Sequence, residues 1–464
     1  EAAECCHSMH SEHPGAAHKT VENIRHLLKT AGGPLTALIT LCREARMEFF
    51  PRVRMNSHYD IASSSPSYGR LRRENPELLI GHLGKTIADG TVERGISTGL
   101  NYAFPKIRNY MYSIITELFE KFDIDGLELD FMRHPAFFRP DEAFQNSYLM
   151  TDLVSSVRQR MTEISASRGR AIRLGVRVPP TMADSRRIGL DVAEWIENKL
   201  VDVVVVGGGF IPFDAPVDEF VAATRGTDIQ IYGCIEALRH IDEPAIRALA
   251  NLYLNAGASG VYLYNFFTMP FAWNSRVLSQ ISNLKSLEQT DKRYSFDQTG
   301  SFINCGAGHS CAFRYASPPA QLPVTLRADH TGEGPIFRFQ IADDLESAMA
   351  SGSLRKCTLL VKLDNFESGC QLDIKLNGID LPWDSKVKPS EGWTRWARSP
   401  TAEHTTTPSC PLEVRHPGAC IEYNLDCPPI TQGQNQLEIH LVTTGQALAV
   451  VLSGIDVIIS YHEK

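Results

Sequence analysis

Between residues 47 and 290 the chain alternates between two patterns of apolar and polar positions. Short, mostly apolar runs predict buried strands, whereas longer segments with apolar residues three and four positions apart predict amphipathic helices. Strands are predicted at 47–56, 125–131, 172–178, 201–206, 229–235 and 260–266, and helices at 20–30, 34–46, 141–168, 190–200, 244–255 and from Pro105 onward. Apolar strands separated by helices are typical of a parallel sheet with helices outside it.

This alternation predicts an α/β fold with six strand–helix units up to about residue 290. A closed TIM-type (β/α)8 barrel contains eight such units, so the sequence predicts a barrel whose first two strands would precede Glu1. An open doubly wound sheet is the alternative, although no GxGxxG motif follows any predicted strand.

After residue 290 the helical periodicity disappears and short strands alternate with Gly, Asn, Pro and Ser clusters. The strands are predicted at 336–341, 356–363, 372–376, 437–441 and 450–461, and Asn377-Gly378 is a strong hairpin turn. We therefore predict a barrel domain at 1–290 and an all-β sandwich or jelly roll at 291–464, with a structural or sugar-binding role.

The strand at 125–131 combines an apolar face with an acidic one. Leu127 and Leu129 share one face and Glu128 and Asp130 share the other, because strand side chains alternate. Buried charges are costly unless they are paired. The pattern indicates either an ion pair in the core or an active site at the carboxyl end of a barrel strand.

The carboxyl ends of parallel strands converge on one mouth, so residues at these ends are the candidates for chemistry. Cleavage of a glycosidic bond needs one protonated and one ionised carboxyl group. Glu236, paired with Asp130 or Glu128, would supply them, and Arg54 or Arg177 would hold one of them ionised by direct pairing. The candidates for substrate binding are Arg54, Asn56, His58, Arg133, His134, Arg177, Tyr264 and Asn265.

Two other functions fit the same mouth. One is a glycan-binding barrel without catalysis, and the other is a metal-dependent hydrolase. The metal would be held by His58, Asp60, Glu128, Asp130 and His134, although we expect neither a metal nor another cofactor. Aromatic residues near the mouth either stack on sugar rings or simply pack in the core; they are Phe137, Phe138, Phe210, Phe213, Tyr232 and Trp273.

Composition narrows the class of partner. A net charge of -8 and a pI near 6.0 argue against nucleic acid and anionic membranes, and no stretch is apolar over the length of a membrane span. The 11 cysteines cluster toward the C-terminus, which permits disulfides, but their odd number leaves at least one thiol unpaired. The sequence contains no CxxC motif, so we do not expect a zinc ribbon. The first residues contain no initiating Met and no signal core, so we expect a processed or missing beginning; the oligomeric state stays open.

Three motifs together resemble a known family. The chain contains, in this order, Asn75-Pro76-Glu77, Leu100-Asn101-Tyr102-Ala103 ahead of a proline-started helix, and FDIDGLELDFMRHP. Together they resemble the glycosyl-hydrolase-like family ten barrels and their relatives, over about residues 47–290. The resemblance implies an (α/β)8 barrel that acts on carbohydrate, in a secreted or periplasmic setting. It also implies that an acid on strand four and Glu236 on strand seven form the catalytic pair. Better-known members carry a DGIHFDD-like strand, whereas this chain has Glu128 and Asp130 with Arg133, so the roles of the two strand-four acids stay open.

Overall fold

A computed structural model describes most of the chain. The described residues are 14–57, 69–81, 86–88, 91–132, 134–207, 214–236, 241–266, 269, 271–297, 315–316, 321–328, 334–367, 369–382, 393–398, 411–416, 418–426, 428–444 and 449–462. The predictions for His58, Asp60, Arg133, Phe210 and Phe213 lie outside this part. The chain divides into a first unit (1–209, 222–230, 302–317) and a second unit (210–221, 231–301, 318–464).

The first unit contains a parallel sheet of four strands that pair in chain order, β1-β2-β3-β4. Its strands are β1 Arg52–Arg54, β2 Gly126–Asp130, β3 Arg173–Val178 and β4 Val203–Val206. Its helices are α1 Pro14–Thr30, α2 Pro34–Glu44, α3 Arg70–Glu74, α4 Val92–Ile96, α5 Pro105–Lys121, α6 Ser147–Arg168, α7 Met182–Arg187 and α8 Val192–Glu197, with a 3-10 turn at Pro76–Leu78.

Helix α5 shows how the sequence pattern forms the core of the first unit. Pro105 occupies its first turn, where its missing N–H has no helical partner to lose. Ile107, Met111, Ile115 and Phe119 recur every four residues and are buried. Burial of each such side chain stabilises the fold by about 1.5–3 kcal/mol. The predicted helix from Pro105 is confirmed.

The register of the sheet separates an apolar face from a charged one. Leu127 and Leu129 of β2 are buried beside Leu174 and Val176 of β3. On the opposite face, Arg54, Asp130 and Arg177 lie side by side across β1, β2 and β3. The alternation predicted for the strand at 125–131 is confirmed.

The second unit contains two strands that pair in parallel, β5 Gln230–Glu236, of which only Gln230 is assigned to the first unit, and β6 Gly260–Tyr264. Three helices accompany them: α10 Glu243–Asn255, α11 Phe271–Gln280 and α12 Leu284–Leu287. A further short helix, α9 Val217–Ala223, precedes β5. The described residues thus contain six strands in parallel pairing, four in the first unit and two in the second. Closure into an eight-stranded barrel stays a prediction.

The remainder of the second unit consists mostly of antiparallel sheets with one short helix, which fits the β-domain predicted after residue 290. Its boundary at residue 291 and its form as a sandwich or jelly roll stay predictions. The elements are β7 Lys292–Asp297, β8 Val324–Leu326, β9 Ile336–Ile341, α13 Leu345–Ala350, β10 Leu354–Asp364, β11 Cys370–Leu376, β12 Ile379–Leu381, β13 Trp393–Arg398, β14 Pro411–His416, β15 Ala419–Asn424, β16 Gly433–Thr444 and β17 Val450–Tyr461. One sheet has the order β15-β10-β17-β7 with β8 also paired to β17, another has the order β12-β11-β16-β9, and β13 pairs with β14. The rings of Phe296 and Phe339, on β7 and β9, lie 4.9 Å apart between their centroids.

The hairpin turn between β11 and β12 has the predicted chemistry. Asn377 and Gly378 both adopt left-handed backbone angles, with φ of 51° and 80°. Positive φ at both central positions is the requirement of the type I′ turn that matches strand twist. The turn brings Leu376 opposite Ile379.

Some element boundaries differ from the prediction. Strand β1 covers Arg52–Arg54 rather than the whole of 47–56, and it begins directly after Pro51, which has no N–H for a sheet hydrogen bond. The helix predicted at 190–200 shortens to Val192–Glu197, since Asp191 caps its start by accepting from the Glu194 N–H. Among the described helices, none is long and apolar enough to cross a membrane.

Three of the described cysteines, Cys42, Cys357 and Cys370, are free thiols. Burial raises the pKa of the Cys357 thiol to about 12 and that of Cys420 to about 11, so neither is a reactive thiolate near neutral pH. Disulfides among the cysteines outside the described residues stay a prediction.

Candidate functional site

The centre of the charged face is an ion pair at the carboxyl ends of β2 and β3. Asp130 and Arg177 are both fully buried and occupy the same register position. The Arg177 Nε donates to Asp130 Oδ1 at 3.0 Å, and Nη2 donates to Oδ2 at 3.1 Å. Such a bidentate ion pair fixes the orientation of the carboxylate and compensates its charge. The sequence predicted that either Arg54 or Arg177 would pair with an acid of this strand, β2, and the structure shows Arg177 in that role.

A second guanidinium approaches the same carboxylate from β1. The Arg52 Nε lies 3.6 Å from Asp130 Oδ2, and the Met132 N–H donates to Asp130 Oδ1 at 3.1 Å. Arg54, which the sequence predicted at this site, lies in register beside Asp130 and its side chain is exposed. Arg52 was absent from the predicted site, although its place two residues before Arg54 puts both on one face.

Glu128 lies one row closer to the amino end of the strand. It is in register with Arg52 on one side and Gly175 on the other, and it is 7% exposed. Gly175 presents no side chain, and the nearest atom to a Cβ built there is the Val203 Cβ at 3.6 Å. A Cβ at this position would therefore be in ordinary van der Waals contact with its neighbours, and glycine leaves Glu128 without a side chain beside it on β3.

Asn56 joins three chain segments at the carboxyl end of β1. Its Nδ2 donates to the carbonyl oxygens of Leu100 and Ala136 at 2.9 and 2.7 Å. Its Oδ1 accepts from the N–H groups of Leu100 and Ser57, both at 2.9 Å. The Asn56 amide therefore makes all four of its hydrogen bonds with backbone groups.

The segment after β2 turns sharply at His134. This buried residue has φ of 72°, an uncommon conformation for a residue other than glycine, and its carbonyl accepts from the Ala136 N–H at 2.9 Å. Backbone strain of this kind is often retained at functional sites.

The aromatic residues that follow pack into the core of the first unit. The Phe137 ring meets Tyr102 and Phe131 edge-on at 5.6 and 5.3 Å, and Phe131 lies 5.4 Å from Trp195. Phe138 is also fully buried. Of the two uses predicted for Phe137 and Phe138, the structure shows packing.

The second unit has its own group of polar residues where β5 and β6 end. Glu236 and Tyr264 are in register and 3% and 2% exposed, respectively. Asn265 directly follows β6 with φ of 54°, and its Nδ2 donates to Glu236 Oε1 at 3.0 Å. The left-handed turn at Asn265 thus places a neutral amide donor on the carboxyl group of Glu236.

The structure therefore gathers the predicted residues in two groups, each within one unit. The first contains Arg54, Asn56, Glu128, Asp130, His134 and Arg177, and the second contains Glu236, Tyr264 and Asn265. The pairing of Glu236 with a strand-four acid stays a prediction.

The described residues contain no group of three or more His, Cys, Asp and Glu side chains arranged to hold a metal ion. The predicted metal site depends on His58 and Asp60 and stays untested.

Comparison with known proteins gives distant similarities only. No model of a protein family matches the chain. No curated protein sequence matches it.

Three solved structures illustrate how distant the similar folds are. A chitinase from Chromobacterium violaceum is 10% identical with a TM-score of 0.32, over 52% of this chain and 83% of that one. An alpha-amylase from Geobacillus thermoleovorans is 12% identical with a TM-score of 0.32, over 88% and 81%. A cycloisomaltooligosaccharide glucanotransferase from Paenibacillus is 11% identical with a TM-score of 0.24, over 90% of this chain and 46% of that one. The chain thus spans about half the length of the glucanotransferase, and these scores are too low to assign it the activity of any of the three proteins.

Proposed function

We propose that the chain is a glycoside hydrolase that uses Asp130 or Glu128 together with Glu236. The observation that carries the proposal is the buried Asp130–Arg177 pair at the carboxyl ends of two parallel strands, the place where barrel enzymes put their chemistry. A fully desolvated ion pair is weak evidence for stability, because apolar residues of similar size often serve a core equally well. A functional role explains why the charges are kept.

The surroundings of the carboxyl groups support a division of roles. Asp130 contacts the guanidinium groups of Arg177 and Arg52, and the neutral amide of Asn265 donates to Glu236 Oε1. An acid and a base of the same chemical type acquire different roles from different environments. We assign Asp130 the role of the ionised carboxylate and Glu236 that of the general acid, with Glu128 as the alternative partner on β2.

In this scheme Glu236 protonates the glycosidic oxygen as the bond to the sugar breaks. The second carboxyl group either attacks the sugar carbon or activates a water molecule, for carboxyl separations of about 5–5.5 Å or 6.5–9.5 Å respectively. Arg54, His58, Arg133 and His134 would contact the substrate, while Arg177, Tyr264 and Asn265 would hold the reacting groups in place. Asn56, predicted to bind substrate, would instead fix the end of β1, because its amide is occupied by backbone.

The test measures sugar release from a panel of poly- and oligosaccharides by wild type and by the Asp130→Asn and Glu236→Gln variants. Loss of a general acid or base lowers turnover by about 100-fold or more. The matched controls are Asp125→Asn, an acid just before β2 that pairs with Arg170, and Glu243→Gln, an acid in the first turn of α10 that pairs with Arg276. Both controls should retain turnover.

The Asp130→Asn variant needs a folding control because it leaves the buried Arg177 partly uncompensated. The double variant Asp130→Asn/Arg177→Gln keeps a hydrogen-bonded pair without charge, and circular dichroism reports whether each protein folds. Full turnover in folded Glu236→Gln and in either folded Asp130 variant would contradict the proposal.

One observation favours a second function, a glycan-binding barrel without catalysis. Asp130 is closed to solvent and both of its oxygens accept from Arg177, which is also the arrangement of a structural ion pair. Glycan-array binding without release of any product would support this second function.

A further inference from the structure

Glu236 lies on a strand that packs closely on helix α10. Gly233 of β5 faces the Tyr253 ring, and a Cβ at Gly233 would lie 2.2 Å from that ring. The Tyr253 hydroxyl donates to the Cys234 carbonyl at 3.5 Å. Because glycine allows this contact without a gap, a displacement of α10 is transmitted directly to β5.

Helix α10 is in turn fastened to the β-region of the second unit at three points along its length. The Arg247 Nε donates to the Asp291 carbonyl at 2.7 Å. The Asn251 Nδ2 donates to Asp343 Oδ2 at 3.3 Å, one helical turn further on. Asp291 directly precedes β7 and Asp343 follows β9. Polar contacts from segments next to the antiparallel sheets therefore hold this side of α10.

The third contact fixes the start of the helix, the end that follows Glu236 in the chain. Asp242 caps α10 by accepting from the Ala245 N–H at 2.9 Å. The Arg293 Nε of β7 lies 3.1 Å from the other oxygen of Asp242. The same guanidinium reaches β17, where its Nη1 lies 3.4 Å from Asp456 Oδ2 and donates to Ser295 Oγ at 3.2 Å.

The anchor for Arg293 is a charged cluster in the interior of the second unit. Asp456 is 2% exposed and its Oδ2 lies 2.7 Å from the Lys362 Nζ. Burial alone would raise the pKa of Asp456, but Lys362 and Arg293 outweigh this and lower the pKa to about 2. Asp456 is therefore a charged anchor near neutral pH, and Arg293 spans from it to the helix cap.

We propose that Arg293 is a positioning residue through which the antiparallel sheets hold β5 and its Glu236 in place; its catalytic meaning rests on the function proposed above. The contacts of Arg293 described above are with Asp242, Ser295 and Asp456. It fixes the first turn of α10, and α10 fixes the strand. The β-region is then part of the structure that supports Glu236, and removing this one guanidinium loosens β5 by way of the helix.

Amide hydrogen exchange in the full chain tests this without any substrate. Arg293→Met removes the guanidinium and keeps much of the apolar stem. We expect exchange to accelerate about tenfold or more in β5 and the first turn of α10, with no change in β2 and β3 of the first unit. Asp242→Asn is the second variant, because asparagine caps helices as well as aspartate does while its charge for Arg293 is gone. It should produce the same pattern.

Lys362→Met is the matched control, since it disturbs the same buried cluster without touching Asp242. It should accelerate exchange in β10 and β17, and in β5 much less than Arg293→Met does, because Arg293 keeps its contact with Asp242. The proposal is overturned when Arg293→Met or Asp242→Asn folds with β5 exchange at the wild-type rate, or when Lys362→Met loosens β5 equally.

Turnover supplies the second readout once a substrate is known. Arg293→Met should lower kcat about tenfold with KM changed less than about twofold, and Arg293→Lys should recover part of the loss because it reaches one acid but does not bridge two. Faster exchange in β5 with no hydrolysis in wild type would contradict the glycoside hydrolase and leave the positioning role standing. Hydrolysis that is unaffected by Arg293→Met would contradict the positioning role and leave the glycoside hydrolase standing.

Discussion

The two ends of strand β2 carry the same chemistry in opposite surroundings. At its amino end, Asp123 and Asp125 pair with Arg170, Asp123 also pairs with Arg43, and the Asp123 side chain is 53% exposed. At its carboxyl end, Asp130 pairs with Arg177 and both are inaccessible to solvent. One strand thus has a solvated and shared ion network at one end and a desolvated pair at the other.

This difference teaches that the number of ion pairs is a poor guide to their importance. Exposed pairs contribute about 0–1 kcal/mol each, because water and salt screen them. Removing one member of a buried pair costs about 3–5 kcal/mol, because the remaining charge is left without compensation. The amino end of a barrel sheet serves stability and the carboxyl end serves function, so the costly pair lies where a site is expected.

The largest expected effect is at the carboxyl end. Arg177→Met should lower the free energy of unfolding by about 3–5 kcal/mol, because Asp130 keeps its charge without its main partner. Urea denaturation measures the loss. The double variant Asp130→Asn/Arg177→Met should lose less than the sum of the single variants. A loss below about 1 kcal/mol in Arg177→Met would make the two ends equivalent and remove the contrast.

A smaller loss is expected at Asn56, the neutral residue at the same end of the sheet. Asn56→Ala removes four hydrogen bonds to backbone groups and should cost about 2–3 kcal/mol, since unsatisfied buried groups are expensive. Asn56→Asp should be equally damaging in urea denaturation, because its second oxygen would face the carbonyl oxygens of Leu100 and Ala136. A fully stable Asn56→Asp would contradict the assigned hydrogen bonds.

The amino end should tolerate the corresponding change. Arg170→Ala is expected to cost about 1 kcal/mol or less, and the cost should shrink further at high salt. The same denaturation experiment at low and high ionic strength measures both. A loss as large as that of Arg177→Met would mean that solvation does not separate the two ends.

The smallest effect is a dependence on pH. The hydrogen bond from Arg170, together with Arg43, lowers the pKa of Asp123. A carboxyl group with a lowered pKa stabilises the fold above its unfolded value of about 3.9, and this contribution disappears as the pH falls through the folded pKa. The stability difference between wild type and Asp123→Asn should therefore be larger at pH 7 than at pH 3, by less than about 1 kcal/mol because Asp123 is exposed. An equal difference at both pH values would refute the coupling.

The sequence predicted most of what depends on local pattern. Apolar runs located β2 to β6, the period of four located α5, and Asn377-Gly378 located a hairpin turn. Arg177 was named as a partner for a strand-four acid because both end adjacent parallel strands.

Contacts between distant residues were beyond the sequence. Arg293 and Asp242 carry ordinary charges in unremarkable positions, and only the tertiary fold brings them to 3.1 Å. Asn56 was predicted to bind substrate, and nothing in the sequence indicated that its amide is occupied by backbone. Phe137 illustrates the same limit, since the sequence does not distinguish an aromatic residue that stacks on a sugar from one that packs against Tyr102.

The four hydrogen bonds of Asn56 have a consequence for how this fold can diversify. One amide binds the backbone at Ser57, just after β1, and the backbone of Leu100, far along the chain before β2. Changes between these two places that keep buried residues such as Leu78 and Ile96 should therefore leave the end of β1 where it is. This stretch is the natural place for evolution, or a protein engineer, to change the ligand while the scaffold keeps its dimensions.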